Sequence, residues 1–397
     1  MKLTEDIIKQ IDDVFSNVPY SDLSALEMTT GDEVVRIDFP REPEIIELPV
    51  EKLLKYIVEI EDAEDAQIEV TKVRSKFFTQ MPVFCSEKSL QQVINEIDFT
   101  AKVPNEYTIR LVDNPFLIGF AATKLGFYDK YMPPCSTYFA VEIEYNSEEK
   151  RLGESQELKV LKSFLFELSY LTNAAIDFTS INDAGFYYDY DPPEEQHIEI
   201  EHLTPYTEGM DLYRKALEAT DPEISFLYFY KIIEFYSPVA AKTTAYENLS
   251  RKIETLRYKN FGNTDLAAIF SIADQFRVSL SDKELAQALL SISIDIVDLF
   301  PKLPENIRKK ISKNVHFNQN ELDYQTKGET LQGIITQVGN ILYSTRNSIV
   351  HAKSNYISNK MECDTNELPM LNEFLKGTCY MIIKWNDRLP GHLKFEE

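Results

Sequence analysis

Arg346, Asn347 and His351 fall within six residues of one another, in the stretch Tyr343-Ser344-Thr345-Arg346-Asn347-Ser348-Ile349-Val350-His351-Ala352-Lys353. Arginine stays protonated at any working pH and can stabilise charge developing on a phosphorane. Histidine, with an ordinary pKa near 6.5, can take or give a proton. A carboxamide can fix an imidazole tautomer or hold a phosphate oxygen. Together they place a permanent cation, a carboxamide and a near-neutral-pH acid/base at one end of one element, a set suited to proton transfer beside developing negative charge.

The element that must position them is a proline-free run from Glu329 to Ser354. Ile334, Val338, Ile341 or Leu342, Thr345 and Ile349 recur every three or four residues, the pattern of a buried helical face. A polar stripe follows the same spacing through Gln337, Asn340, Ser344, Asn347, His351 and Ser354. At about 100° per residue, Asn347 and His351 sit about 40° apart and one turn from each other. Arg346 starts about 140° from His351, within the swing of its long side chain. Gly333 and Gly339 each cost such a helix about 1 kcal/mol relative to Ala, a cost that close helix approach at an interface would explain.

A second helix, expected over Pro222–Ser237, carries Phe226, Leu227, Phe229, Tyr230, Ile233 and Tyr236 and is apolar nearly all round, as a central buried helix would be. Its one internal carboxylate is Glu234. Buried, that carboxylate needs a donor. Arg346 and His351 are candidates, as is a Lys or Arg elsewhere in the bundle.

The Arg346–His351 spacing, with Asn347 directly after the arginine, resembles the Arg-x4-6-His signature of the HEPN superfamily. The segment from Ser225 to Tyr236 is similar to the "x-ALE-x-L" helix of ApeA-like HEPN domains, where a glutamate approaches the Arg-His site; Glu234 is the match. The resemblance covers about residues 206–390. It implies an all-helical bundle and a metal-independent endoribonuclease that needs no cofactor and leaves 2′,3′-cyclic phosphate and 5′-hydroxyl ends. It also implies a homodimer through the C-terminal bundle, because one histidine serves both proton transfers poorly and HEPN nucleases face two motifs into one cleft. The implied setting is a regulated toxin or effector of antiviral (anti-phage) defence, acting by abortive infection on tRNA, rRNA or mRNA. An N-terminal sensor would answer an unknown phage-derived or regulatory trigger. The alternatives are a HEPN fold kept as a non-catalytic RNA- or nucleotide-binding module, and a protein-interaction scaffold.

A chain of 397 residues suggests two domains, and the fold class read from the sequence is α+β. An acidic mixed α/β domain over 1–176 is followed by an acidic, proline-containing linker over 177–205 and a helical bundle over 206–397. The charge divides the same way. Residues 1–205 hold 18 Lys and Arg against 40 Asp and Glu, whereas residues 206–397 hold 23 against 25. An acidic half repels phosphate backbones, so RNA contact is expected of the other half; solubility alone also accounts for the acidity. Cys85, Cys135, Cys363 and Cys379 form no CxxC pair, which argues against a zinc ribbon or a disulfide framework. With no apolar leader and no run of about 18 apolar residues, a cytoplasmic protein with no membrane partner is expected.

Within the first half the expected elements are a helix over residues 4–17 and strands around Glu33–Phe39 and Glu44–Val50. Glu51–Glu61 is helical or extended. Strands are expected at Ala66–Phe78, Tyr107–Leu111, Phe116–Ala122 and Ser136–Tyr145, with helices at Ser89–Ile97 and Glu154–Asn173. Pro192-Pro193 forbids helix, and His197–His202 alternates as a strand whose two histidines fall on opposite faces. That arrangement favours an exposed edge or linker over a metal site. From Pro205 onward all expected elements are helices: Glu208–Thr220, Pro222–Ser237, Thr244–Lys259, Asp265–Val278, Ser281–Phe300 with a capping box from Ser281 to Glu284, Asn306–Asn314, the motif helix and Asn366–Asp387. Two basic clusters, Arg251 with Lys252 and Arg308 with Lys309 and Lys310, are candidate RNA-backbone contacts. Solvated helix faces with paired charges are the commoner explanation of such clusters.

Overall fold

A computed structural model of the chain describes residues 9, 34–37, 46–49, 51–53, 56, 67–74, 77–85, 97–113, 115–125, 138–182, 196–257, 262–277, 281–351 and 361–394. Of the expected helices at 4–17 and Ser89–Ile97, only Lys9, which is helical, and Ile97, which begins a strand, are among these residues; the double proline and Cys135 fall outside them. The chain divides into two compact units, Met1–Tyr206 and Thr207–Glu397.

The first unit is built on an eight-stranded sheet. Its strands are β3 (Gln67–Glu69), β4 (Lys72–Arg74), β5 (Phe78–Cys85), β6 (Ile97–Val103), β7 (Tyr107–Asp113), β8 (Phe139–Tyr145), β9 (Ile176–Phe178) and β10 (Gln196–Ile200). The order is β10-β6-β7-β8-β5-β4-β3, with β9 pairing β5. Only β10 against β6 is parallel among these pairs. Strands β1 (Val34–Ile37) and β2 (Ile46–Pro49) form a separate antiparallel pair. Helix α1 covers Phe116–Lys124 and helix α2 covers Glu154–Thr172. Leu161, Phe164, Leu165 and Leu168 of α2 pack on Val83, Phe99, Ile109, Val141, Ile143 and Tyr145 to make the core of one sheet face.

Three expectations change here. Phe116–Ala122 is a helix rather than a strand. It is buried almost throughout, and a short apolar run buried all round has no periodicity to tell helix from strand. Within the stretch expected as one strand over Ala66–Phe78, Gln67–Arg74 is a hairpin, with Ile68 opposite Val73 and Val70-Thr71 at the turn. The stretch read as linker contains β10, whose parallel pairing aligns His197 with Asp98. Buried Thr204 beyond it donates to Glu167 (2.7 Å), so residues 196–204 belong to the first unit. Strand β5 itself carries Pro82 in its middle. The proline is tolerated where one edge of β5 changes partner from β4 to β9, and its carbonyl still accepts from the Thr179 N–H (2.9 Å).

Among its described residues the second unit contains helices and no strand: α3 (Glu208–Glu218), α4 (Pro222–Leu256), α5 (Asn263–Arg277), α6 (Asp282–Ser293), α7 (Ile296–Leu299), α8 (Glu305–Val315), α9 (Gly328–His351) and α10 (Leu368–Arg388). The capping box at Ser281 and Glu284 is formed. Helix α4 is central, packing on α3, α6, α9 and α10. It runs 35 residues, through Pro238, and joins two helices that read separately in sequence. Pro238 is exposed, so the carbonyl that loses its helical donor opens toward water instead of sitting unsatisfied in the core.

Candidate functional site

The carbonyl left without an amide partner by Pro238 is that of Glu234, four residues earlier. The same turn of α4 faces the end of α9. Arg346 Nη2 lies 3.5 Å from Glu234 Oε1, with the side chains 30% and 40% exposed. Helix α4 is therefore not apolar all round: Ile224, Lys231, Glu234 and Pro238 form its exposed stripe, and Glu234 is half-exposed rather than buried. Arg346 Nη1 also donates to the carboxamide oxygen of Asn347 (3.1 Å). The arginine is held between a carboxylate and a neutral acceptor. His351 is exposed in the last turn of α9, one turn beyond Asn347.

Partial burial pushes the Glu234 carboxyl above its ordinary value. Arg346 opposes that shift, Asp282 on α6 adds to it, and Lys231 opposes it. One turn before Glu234, Tyr230 is 2% exposed. Its hydroxyl is raised above the ordinary phenol value by burial first, then by Glu234, against Arg346, with Tyr343 and Asp282 adding to the rise. That hydroxyl is buried and has no hydrogen-bond partner among the described residues, an arrangement that costs about 1–3 kcal/mol. Sequence reasoning misses Tyr230, Tyr343 and Asp282 as members of this site. The one signal that points to any of them is the placement of Tyr230 four residues before Glu234, which puts both on one helix face.

The polar stripe of α9 is not an open groove along its length. Gln337 accepts from Asn314 of α8 (3.2 Å), and Asn340 accepts from Gln287 of α6 (3.0 Å), which also donates to the Thr336 carbonyl (3.2 Å). Ser344 is buried. Thr345 is fully buried, and its hydroxyl oxygen accepts from the Cys363 N–H (2.9 Å), fixing the turn that carries Arg346. The two glycines of α9 serve contacts inside the chain. A Cβ on Gly339 would stand 2.5 Å from Gln287 Cγ, and one on Gly333 would stand 3.0 Å from Val315 Cγ1. Neither therefore marks an interface between two copies.

The basic clusters are largely paired within the bundle. Arg251 meets Glu247 (3.3 Å) and Lys309 meets Glu305 (2.6 Å), each one turn away on its own helix, while Lys252 meets Asp265 (3.5 Å). The Arg308 Nε is buried without an acceptor among the described residues. Lys310 lines a pocket of about 270 Å³ with Asn306, Cys363, Asp364 and Glu367.

A second concentration of charge lies in the first unit. Glu142 of β8 is wholly buried and stands beside Gln80 of β5 and Arg110 of β7 in the sheet register. It accepts from Tyr56 Oη (2.8 Å), Gln80 Nε2 (2.5 Å) and Arg110 Nε (2.8 Å), with Lys52 Nζ 3.6 Å away. Burial works to raise its pKa, but Lys52 and Arg110 overcome this and hold the carboxyl below its ordinary value. Gln80 is fixed from its other end by the Ile118 N–H of α1 (3.2 Å). On the opposite sheet face, buried Glu157 of α2 accepts from Thr79, Tyr145 and Arg74. In both clusters the hydrogen bonds are internal, so they act as polar anchors between sheet and helices. Among the described residues no group of three or more His, Cys, Asp or Glu side chains could hold a metal ion. No described helix is long and apolar enough to cross a membrane. Compared with known proteins, the chain matches no family model, no curated protein and no solved structure.

Proposed function

We propose that the helical unit is a HEPN-type endoribonuclease that cleaves RNA without a metal, by attack of a 2′-OH on the adjacent phosphate. The observation that carries this reading is the Arg346–Glu234 pair, with Asn347 bound to the same guanidinium and His351 one turn on. Arg346 stabilises charge on the phosphorane, and His351 moves the proton of the nucleophile or of the leaving group. Asn347 orients Arg346. Glu234 belongs to the site through its pair with that guanidinium.

The second proton transfer calls for a second histidine, so the active form is a homodimer with two copies of Arg346 and His351 facing one cleft. Its support is this chemistry, since Gly333 and Gly339 are already used within the chain. The acidic first unit acts as the sensor that restrains a toxic nuclease in antiviral defence, in the cytoplasm.

The test is incubation of the full-length protein with a tRNA and mRNA mixture in EDTA, beside His351→Ala. Cyclic-phosphate ends formed by the unaltered protein and absent with the variant support the reading. RNA binding without cleavage in both favours a non-catalytic binding module instead.

A further inference from the structure

Glu234 has two candidate partners and uses one. It holds the Arg346 guanidinium at 3.5 Å, while the Tyr230 hydroxyl, one turn earlier on the same face of α4, is buried with nothing to bond among the described residues. Buried hydroxyls are nearly always paired, so an orphan at a site calls for a state in which it is satisfied. The ionisable groups acting on it are Glu234, Arg346, Tyr343 and Asp282, all at the same end of the bundle. The Arg346–Glu234 pair is long and half-exposed, hence readily displaced. A phosphate oxygen forms a shorter, charge-assisted bond to a guanidinium.

We infer that Glu234 is a two-position gate on Arg346 and that Tyr230 is the positioning residue that receives it. In the resting state the carboxylate occupies the guanidinium as a phosphate would. When an RNA phosphodiester takes Arg346, Glu234 moves down one turn and accepts a hydrogen bond from the Tyr230 hydroxyl. No covalent bond changes and no proton is transferred. The gate holds an unliganded site neutral and keeps the displaced carboxylate from repelling the phosphate. It rests on the reading of Arg346 as the phosphate-binding cation.

The test measures binding of the full-length protein to a fluorescent RNA oligonucleotide with 2′-O-methyl riboses, which cannot be cleaved. Glu234→Ala removes the competing carboxylate and tightens binding about two- to five-fold. Tyr230→Phe removes the receiving hydroxyl and weakens binding about two- to ten-fold. In the Glu234→Ala background the same Tyr230→Phe change shifts Kd by less than about twofold, because nothing remains to be received. Equal weakening with and without Glu234 overturns the gate, as does weaker binding by Glu234→Ala. Tyr230→Phe keeps the ring and loses an unpaired hydroxyl, so it melts at or above the unaltered protein. A lower melting temperature means the hydroxyl is bonded at rest, which also overturns the proposal. Arg346→Ala separates the two layers: unchanged binding there refutes the phosphate reading itself, whereas lost binding there with no coupling between Glu234 and Tyr230 refutes the gate alone.

Discussion

Replacing Glu142 by alanine should destabilise the first unit by about 3–5 kcal/mol, the cost of breaking a buried charge cluster by removing one partner. The carboxylate has no exposed surface. It accepts from Tyr56, Gln80 and Arg110, and Lys52 closes the cluster at 3.6 Å. Alanine would leave two cations and two neutral donors facing a cavity. Lys52 and Arg110 are 21% and 29% exposed, so water recovers part of the loss and the effect falls near 3 kcal/mol. Against a domain stability of roughly 5–15 kcal/mol this is a large fraction. In urea it moves the midpoint by on the order of 2 M.

The assay is denaturation of the full chain followed by far-UV circular dichroism, with Trp385 fluorescence as the internal reference. Trp385 is the single tryptophan, and it is buried in the second unit. The expected result is an earlier transition in dichroism and an unmoved one in fluorescence. A loss below about 1 kcal/mol would refute the argument that the cluster is an anchor. Acid should reproduce the mutation. Because the folded pKa of Glu142 lies below its unfolded value, its contribution is present above the unfolded pKa and is lost as pH falls through the folded one. The unaltered protein should therefore lose stability in acid, and Glu142→Ala should lose less.

Removing the Arg346 guanidinium by Arg346→Ala should lower RNA cleavage about 10²–10³-fold; His351→Ala should lower it about 10²–10⁴-fold, both read as cyclic-phosphate ends, and full activity in either removes that residue from the mechanism. Gly339→Ala should destabilise by about 1 kcal/mol on thermal melting: the new methyl displaces Gln287 and breaks its two bonds to α9, while the helix gains part of that back from alanine. Gly209→Ala should cost about 1–3 kcal/mol, since its Cβ would stand 2.7 Å from Cε2 of Tyr236, a fully buried ring that cannot move aside; a neutral result would show that α3 can shift on α4.

Local periodicity makes much of the second unit legible in the sequence. The apolar positions of Gly328–His351 and Leu368–Arg388 repeat at 3.6 residues over many turns, and the Ser281–Glu284 capping box is a contact between near neighbours in the chain. Helix α2 is legible for the same reason. The Arg346, Asn347 and His351 spacing is likewise a property of one helix, and Glu234 stands out as the lone carboxylate of an apolar run.

Tertiary contacts decide the rest. Whether Phe116–Lys124 is helix or strand depends on what covers it, because every face is apolar. Pro238 reads as a break, yet α4 passes through it because the position is exposed and the freed carbonyl meets water. The polar stripe of α9 divides into residues bonded to α6 and α8 and residues at the Arg346 end, which its own periodicity does not distinguish. Gln80, Arg110 and Glu142 lie on three strands, 62 and 32 residues apart for the two pairs, and only sheet register brings them together. Tyr230 gives no sign in sequence that its hydroxyl is unpaired. Spacing along one element is written in the chain; which side chains on different elements meet, and which polar atoms are left without a partner, is set only when the elements pack.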